Sequence, residues 1–122
     1  MVVDDDVHMV QATRRSLEHD HDVTCAVGGL VALSLVASGL QAFDVILCDL
    51  RMSGMSGEDL FFKIGKISPE LAERMIFVSG DLTSPTAKRF LEGVPNARFE
   101  KPVNWAEVRR NIRTHVPDVP AR

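Results

Sequence analysis

Short β-branched and apolar runs alternate along the chain with segments whose apolar residues recur at helical spacing. Val2–Val3 lead into Asp4, Asp5 and Asp6, after which Met9, Ala12, Thr13 and Leu17 share one helical face with Arg14, Arg15 and Glu18 opposite. Asp22–Val27 reads as a second strand, and Gly28-Gly29 opens a helix through Leu30, Leu33, Val36, Ala37 and Leu40. Phe43–Leu50 (FDVILCDL) is the strongest strand, apolar on both faces as a central parallel strand requires. A glycine-rich loop, SGMSG, follows it, then a helix carrying Leu60, Phe61 and Ile64 on one side. Arg74–Ser79 predicts a fourth strand. Ser84-Pro85 is an N-cap followed by proline at the first helical position. Ala97–Glu100 predicts a short fifth strand, and Asn104 with Glu107 three residues later opens a last helix to about His115. The closing VPDVPAR has two prolines and no periodicity. Residues 1–116 therefore read as one domain and 117–122 as a C-terminal tail.

Five βα units in sequence predict an α/β fold: a doubly wound (βα)5 flavodoxin-like sandwich whose parallel sheet has the order 2-1-3-4-5. Length and composition agree with one globular domain, at 122 residues, 45% hydrophobic and 25% charged. The 14 Lys+Arg against 17 Asp+Glu leave a net charge of -3, which argues against a nucleic-acid binder working through bulk charge. No apolar run is long enough for a membrane span and no signal peptide opens the chain, so a cytoplasmic protein, monomeric or weakly dimeric, is expected. Cys25 and Cys48 read as free thiols on strands 2 and 3, which strand 1 would hold about 9–10 Å apart, beyond disulfide reach. His19 and His21 flank Asp20 in what reads as a solvated turn.

In such a sheet, ligands bind beyond the carboxyl ends of the strands where strand order reverses, here between strands 1 and 3. Those strands end in Asp4-Asp5-Asp6 and in Asp49. Carboxylates gathered there repel one another unless a cation joins them, and oxygen ligands with positions left for water and phosphate suit magnesium (or manganese). Ser79 closes strand 4, and Lys101 closes strand 5 just before Pro102. Singly they are a strand-end serine and a surface lysine. Beside a metal–carboxylate site, a hydroxyl and an ammonium bind the oxygens of a phosphoryl group.

With VVDDD, VILCDLRMSGMSG, MIFVSGD and FEKPV in place, the chain resembles the receiver (CheY-like) domain of two-component response regulators from Val2 to about His115. The resemblance implies that Asp49 accepts a phosphoryl group from the phosphohistidine of a histidine kinase or a histidine phosphotransfer domain. It implies magnesium bound by Asp4, Asp5, Asp49 and the backbone carbonyl of Arg51, with Asp5 a more direct ligand than Asp4. It also implies that Ser79 and Lys101 engage the acyl phosphate and that the Lys101–Pro102 peptide is cis. Two departures stand out. Ser53 occupies a position where proline is usual in M-P-x-M-x-G, and Arg98 stands where an aromatic switch residue often sits, with Phe99 following.

The chain starts almost inside strand 1, and SGDLTSPTAKRFLEGVPNARFEKPV looks most like the C-terminal receiver of a bacterial hybrid sensor histidine kinase, with a single-domain regulator as the other architecture. A magnesium-dependent phosphohydrolase with an aspartate nucleophile would be expected to carry an acid two residues past it, where Arg51 stands. A flavodoxin-like cofactor binder would want hydrogen-bond donors after strand 1, where DDDVHM is acidic. Arg51 and Asp81 are expected to bracket the mouth of the site with opposite charges, as a bridge slowing attack by water.

Overall fold

The computed structural model describes residues 1–116. The proposed tail, 117–122, lies outside the described residues. The elements run β1 (Val2–Asp4), α1 (Val7–Leu17), β2 (Cys25–Val27), α2 (Gly29–Ser38), β3 (Ile46–Asp49), α3 (Gly57–Ile67), α4 (Pro69–Glu73), β4 (Met75–Ser79), α5 (Pro85–Glu92), β5 (Arg98–Glu100) and α6 (Trp105–Arg113). All strands pair in parallel in the order β2-β1-β3-β4-β5.

Side chains alternate between the two faces of the sheet, and each face has its own core. Val3, Ile46, Cys48, Met75 and Phe77 pack under α2, α3, α4 and α5. Val2, Val45, Leu47, Ile76 and Val78 pack against Val10 and Leu17 of α1 and Val108 and Ile112 of α6. The strands are shorter than the apolar runs suggested, for local reasons. β1 offers only Val2, Val3 and Asp4 as partners for β2. The Arg74 guanidinium takes the carbonyls of Asp44 (2.6 Å) and Phe43 (3.5 Å), which lie ahead of the β3 ladder.

Three helical expectations are corrected. Periodicity did not reveal α4: Ser68 is extended (φ -146°) ahead of Pro69 and its hydroxyl accepts from the Leu71 amide, so α3 ends there and a new turn begins. In α2 the buried residues are Gly29, Ala32 and Val36, while Leu30 is 69% exposed and Leu40, beyond the helix end at Ser38, is 92% exposed. That helix carries no charge to mark its outer face, so periodicity alone could not orient it. In α1 the apolar anchor is Val10, and Met9 turns outward.

Ser84 and Asn104 cap α5 and α6 through their side-chain oxygens, although Glu107 does not return the Asn104 bond. Cys25 and Cys48 are free, on strands that β1 separates. Burial and the nearby Asp49 and Asp4 push the Cys48 thiol far upward, so it is an inert core group. Among the described residues, no helix is long and apolar enough to cross a membrane.

Candidate functional site

The strand order brings the ends of β1 and β3 side by side, with Val3 of β1 registered on Cys48 of β3. Asp4 and Asp49 end those strands, and both are buried. β5 delivers Lys101 from beyond β4, its amide held by the Ser79 carbonyl at 2.8 Å. The Lys101 Nζ donates to Asp4 Oδ2 (3.2 Å) and Asp49 Oδ2 (3.1 Å), bridging the two carboxylates. The second oxygen of each is held by backbone: Asp49 Oδ1 accepts from the Arg51 amide and Asp4 Oδ1 from the Asp6 amide, both at 3.0 Å. Asp49 Oδ2 is thus the oxygen turned toward Lys101. The Lys101–Pro102 peptide is cis.

One ammonium serves two carboxylates, and the ionisation of the group reflects that shortage. Burial pushes the Asp4 carboxyl up and the negative Asp49 adds to the rise, against the Asp6 amide and Lys101, which pull it down. Burial works against the Lys101 ammonium, but the hydrogen bonds and charges of Asp49 and Asp4 outweigh it and raise its value. The folded chain therefore holds the Asp4 proton to higher pH than the unfolded chain does. Ionised Asp4 costs stability at neutral pH, and that cost disappears as pH falls through the raised folded value. Asp4→Asn is accordingly expected to raise the thermal unfolding midpoint at neutral pH, with the advantage over the parent protein shrinking on acidification. A lower midpoint at neutral pH would contradict this reading.

The other acids of the DDD run face elsewhere. Asp6 is the N-cap of α1, accepting from the His8 amide at 2.9 Å. Asp5 Oδ2 accepts from the Ser53 amide (2.8 Å) and the Ser53 hydroxyl (3.1 Å), and the amide bond above all holds the Asp5 carboxyl below its usual value. Among the described residues, no three metal-ligating side chains gather into one cluster. The structure brings together Asp4, Asp49 and Lys101, and leaves Asp5 on the rim. The donor set still fits a hard cation. Its side chains are all carboxylates, two converge on one point, and their charge exceeds that of Lys101.

Ser79 is fully buried at the end of β4, and its Oγ accepts from the Asp81 amide at 3.4 Å. The expected Arg51–Asp81 bridge does not form. Asp81 instead accepts from the Thr83 hydroxyl (2.7 Å) and amide (2.9 Å), which lower its carboxyl, while Arg51 acts on it only as a more distant charge. An aspartate two residues before a threonine closes a local turn on itself, and D-x-T was the signal for it.

Arg98 is likewise turned away from the site. Its guanidinium donates to the carbonyls of Leu91 (2.8 Å), Val94 (2.7 Å) and Asn96 (2.7 Å), tying the end of α5 to β5. Arg98→Ala would leave these carbonyls short of donors and is expected to lower stability by about 1–3 kcal/mol. Denaturant unfolding checks this, and a change below about 0.5 kcal/mol would mean water replaces the guanidinium.

Two cavities flank the acids. One of about 450 Å³ runs beneath Lys101 and Pro102 between Met9 and Thr13 of α1 and Trp105. The other, about 510 Å³, opens beside Asp5, Arg51 and Ser53 toward Thr86 and Phe90.

Comparison with known proteins supplies a family. Residues 1–113 match the family model described as response regulator receiver domain. Over 120 residues the chain is 28% identical to the two-component response regulator ARR14 of Arabidopsis thaliana, covering 95% of this chain and 30% of that protein. It is 29% identical to the two-component response regulator ORR26 of Oryza sativa subsp. japonica, with 95% of this chain and 19% of that protein covered. The chain thus spans less than a third of the length of these curated relatives. Among solved structures, a response regulator receiver domain protein from Clostridium thermocellum superposes with a TM-score of 0.81 at 25% identity, over 93% of this chain and 90% of that one.

Proposed function

The chain belongs to the response regulator receiver domain family, and from that membership we propose that it is a phosphoryl-accepting switch with Asp49 as the acceptor. The observation that carries the reading is the Lys101 bridge between Asp49 and Asp4 at the switch point of the sheet. Fixed by the Arg51 amide through Oδ1, Asp49 directs Oδ2 toward the incoming phosphorus. A new O–P bond forms there as the P–N bond of a donor phosphohistidine breaks and its imidazole leaves. Lys101 exchanges the Asp49 carboxylate for a phosphoryl oxygen, so its charge stays neutralised while the negative charge of the group is offset. The Ser79 hydroxyl, next to the acceptor strand, donates to a second oxygen.

Asp4, Asp5, Asp49 and the Arg51 carbonyl would hold magnesium, which when bound would supply further charge neutralisation and alignment. The product is an acyl phosphate open to attack by water, so the signal expires without a separate enzyme. A histidine kinase or histidine phosphotransfer domain is the donor class, in the cytoplasm, and a hybrid sensor kinase is the parent architecture favoured by the sequence. Incubation with a phosphorylated histidine phosphotransfer domain and magnesium tests the reading. Label should move from the donor histidine to this chain in acid-stable, base-labile form, and failure to move from any such donor would overturn it.

A further inference from the structure

Ser53 gives Asp5 two hydrogen-bond donors that proline, the usual residue there, could not offer. The amide (2.8 Å) and hydroxyl (3.1 Å) both serve Asp5 Oδ2, linking the loop after β1 to the loop after β3 across the mouth of the site. Both are bonds to a charged acceptor, the stronger class of protein hydrogen bond. They fix the Asp5 carboxylate beside that of Asp4 but not in one cluster with Asp4 and Asp49, which Lys101 joins without it. Proline has neither an N–H nor a hydroxyl. Ser53 therefore creates a competitor for one carboxylate of the acid set.

We propose that Ser53 is a positioning residue that latches Oδ2 of Asp5 and so weakens magnesium binding in the unphosphorylated protein. This rests on the reading of Asp4, Asp5 and Asp49 as the magnesium ligands. Both bonds fall on Oδ2, so for that oxygen to join the other two acids around a cation it must give them up, and their free energy is subtracted from that of metal binding. By linkage, metal loading releases Ser53 from Asp5, so the loops after β1 and β3 change state together.

Magnesium titration by calorimetry of the parent protein, Ser53→Ala, Ser53→Pro and Ser53→Thr tests the latch. Ser53→Ala removes only the hydroxyl bond and should tighten binding roughly three-fold, whereas Ser53→Pro removes both and should tighten it about ten-fold. Ser53→Thr keeps both donors and should match the parent. In the parent protein the Ser53 amide proton resonance should move upfield in step with saturation as its bond to the carboxylate breaks, a signature that a merely structural serine would not show. Equal affinity in all four proteins, with an unmoved Ser53 resonance, would overturn the latch and leave Asp49 as acceptor untouched. Absence of magnesium binding from all four would overturn the latch together with the metal role on which it rests.

Discussion

Asp49→Asn should accept no phosphoryl group. The amide has nearly the same shape as the carboxylate and keeps one oxygen for the Arg51 amide, which now holds Asp49 Oδ1 at 3.0 Å. What it loses is the negative carboxylate oxygen opposite Lys101, the one not held by the Arg51 amide and so placed to attack phosphorus. Nearby acids do not replace it. Asp4 is the same distance class from Lys101 but ends the neighbouring strand, and Asp5 is engaged by Ser53. Intact mass after incubation with acetyl phosphate and magnesium should show one added phosphate in the parent protein and none in the variant. The variant's unfolding midpoint should stay at or above that of the parent, because one of two carboxylates sharing a single ammonium has been neutralised. Undiminished incorporation would place the acceptor elsewhere.

Gly57→Ala should lower stability by about 3 kcal/mol and disturb phosphoryl acceptance as well. Gly57 is the first residue of α3, and its amide donates to the Leu50 carbonyl at 3.0 Å. A β-carbon there would collide with the Asp49 carbonyl oxygen and lie 2.8 Å from the Leu50 Cα. These are backbone atoms of Asp49 and its neighbour, so no side chain can swing aside. Either α3 backs away from β3 or Asp49 is displaced. Gly65, in the last turn of the same helix, is the control: an added β-carbon would meet only Ala72 Cβ at 3.8 Å. Gly65→Ala should therefore stabilise, by about 0.5–1 kcal/mol, through helix propensity. Paired urea melts decide the matter, and equal midpoints for the two variants would show that close approach to Asp49 is not what position 57 requires.

The sequence by itself determined the architecture and the ends of its strands. Consecutive β-branched and apolar residues in VILC, bounded by turn residues, read as a strand covered on both faces, and five strands alternating with helices leave few topologies. Once the order is 2-1-3-4-5, Asp4, Asp49, Ser79 and Lys101 come to one edge of the sheet, because each ends or follows a strand. Helix starts at Ser84-Pro85 and Asn104 were equally legible, since a cap bonds amides only two or three residues away.

Tertiary structure decided what depends on partners distant in the chain or on the absence of a polar label. The uncharged α2 needed its neighbours to show which apolar residues stay outside. Whether Asp5 faces a metal or Ser53, Asp81 faces Arg51 or Thr83, and Arg98 faces the site or the end of α5 is a choice among hydrogen-bond partners of similar strength. Apolar burial is nondirectional and repeats with the backbone's period, so it leaves a pattern that can be read along the chain. A polar side chain's partner is set by directional bonds at about 3 Å, and only the folded arrangement of loops brings one donor rather than another within that distance.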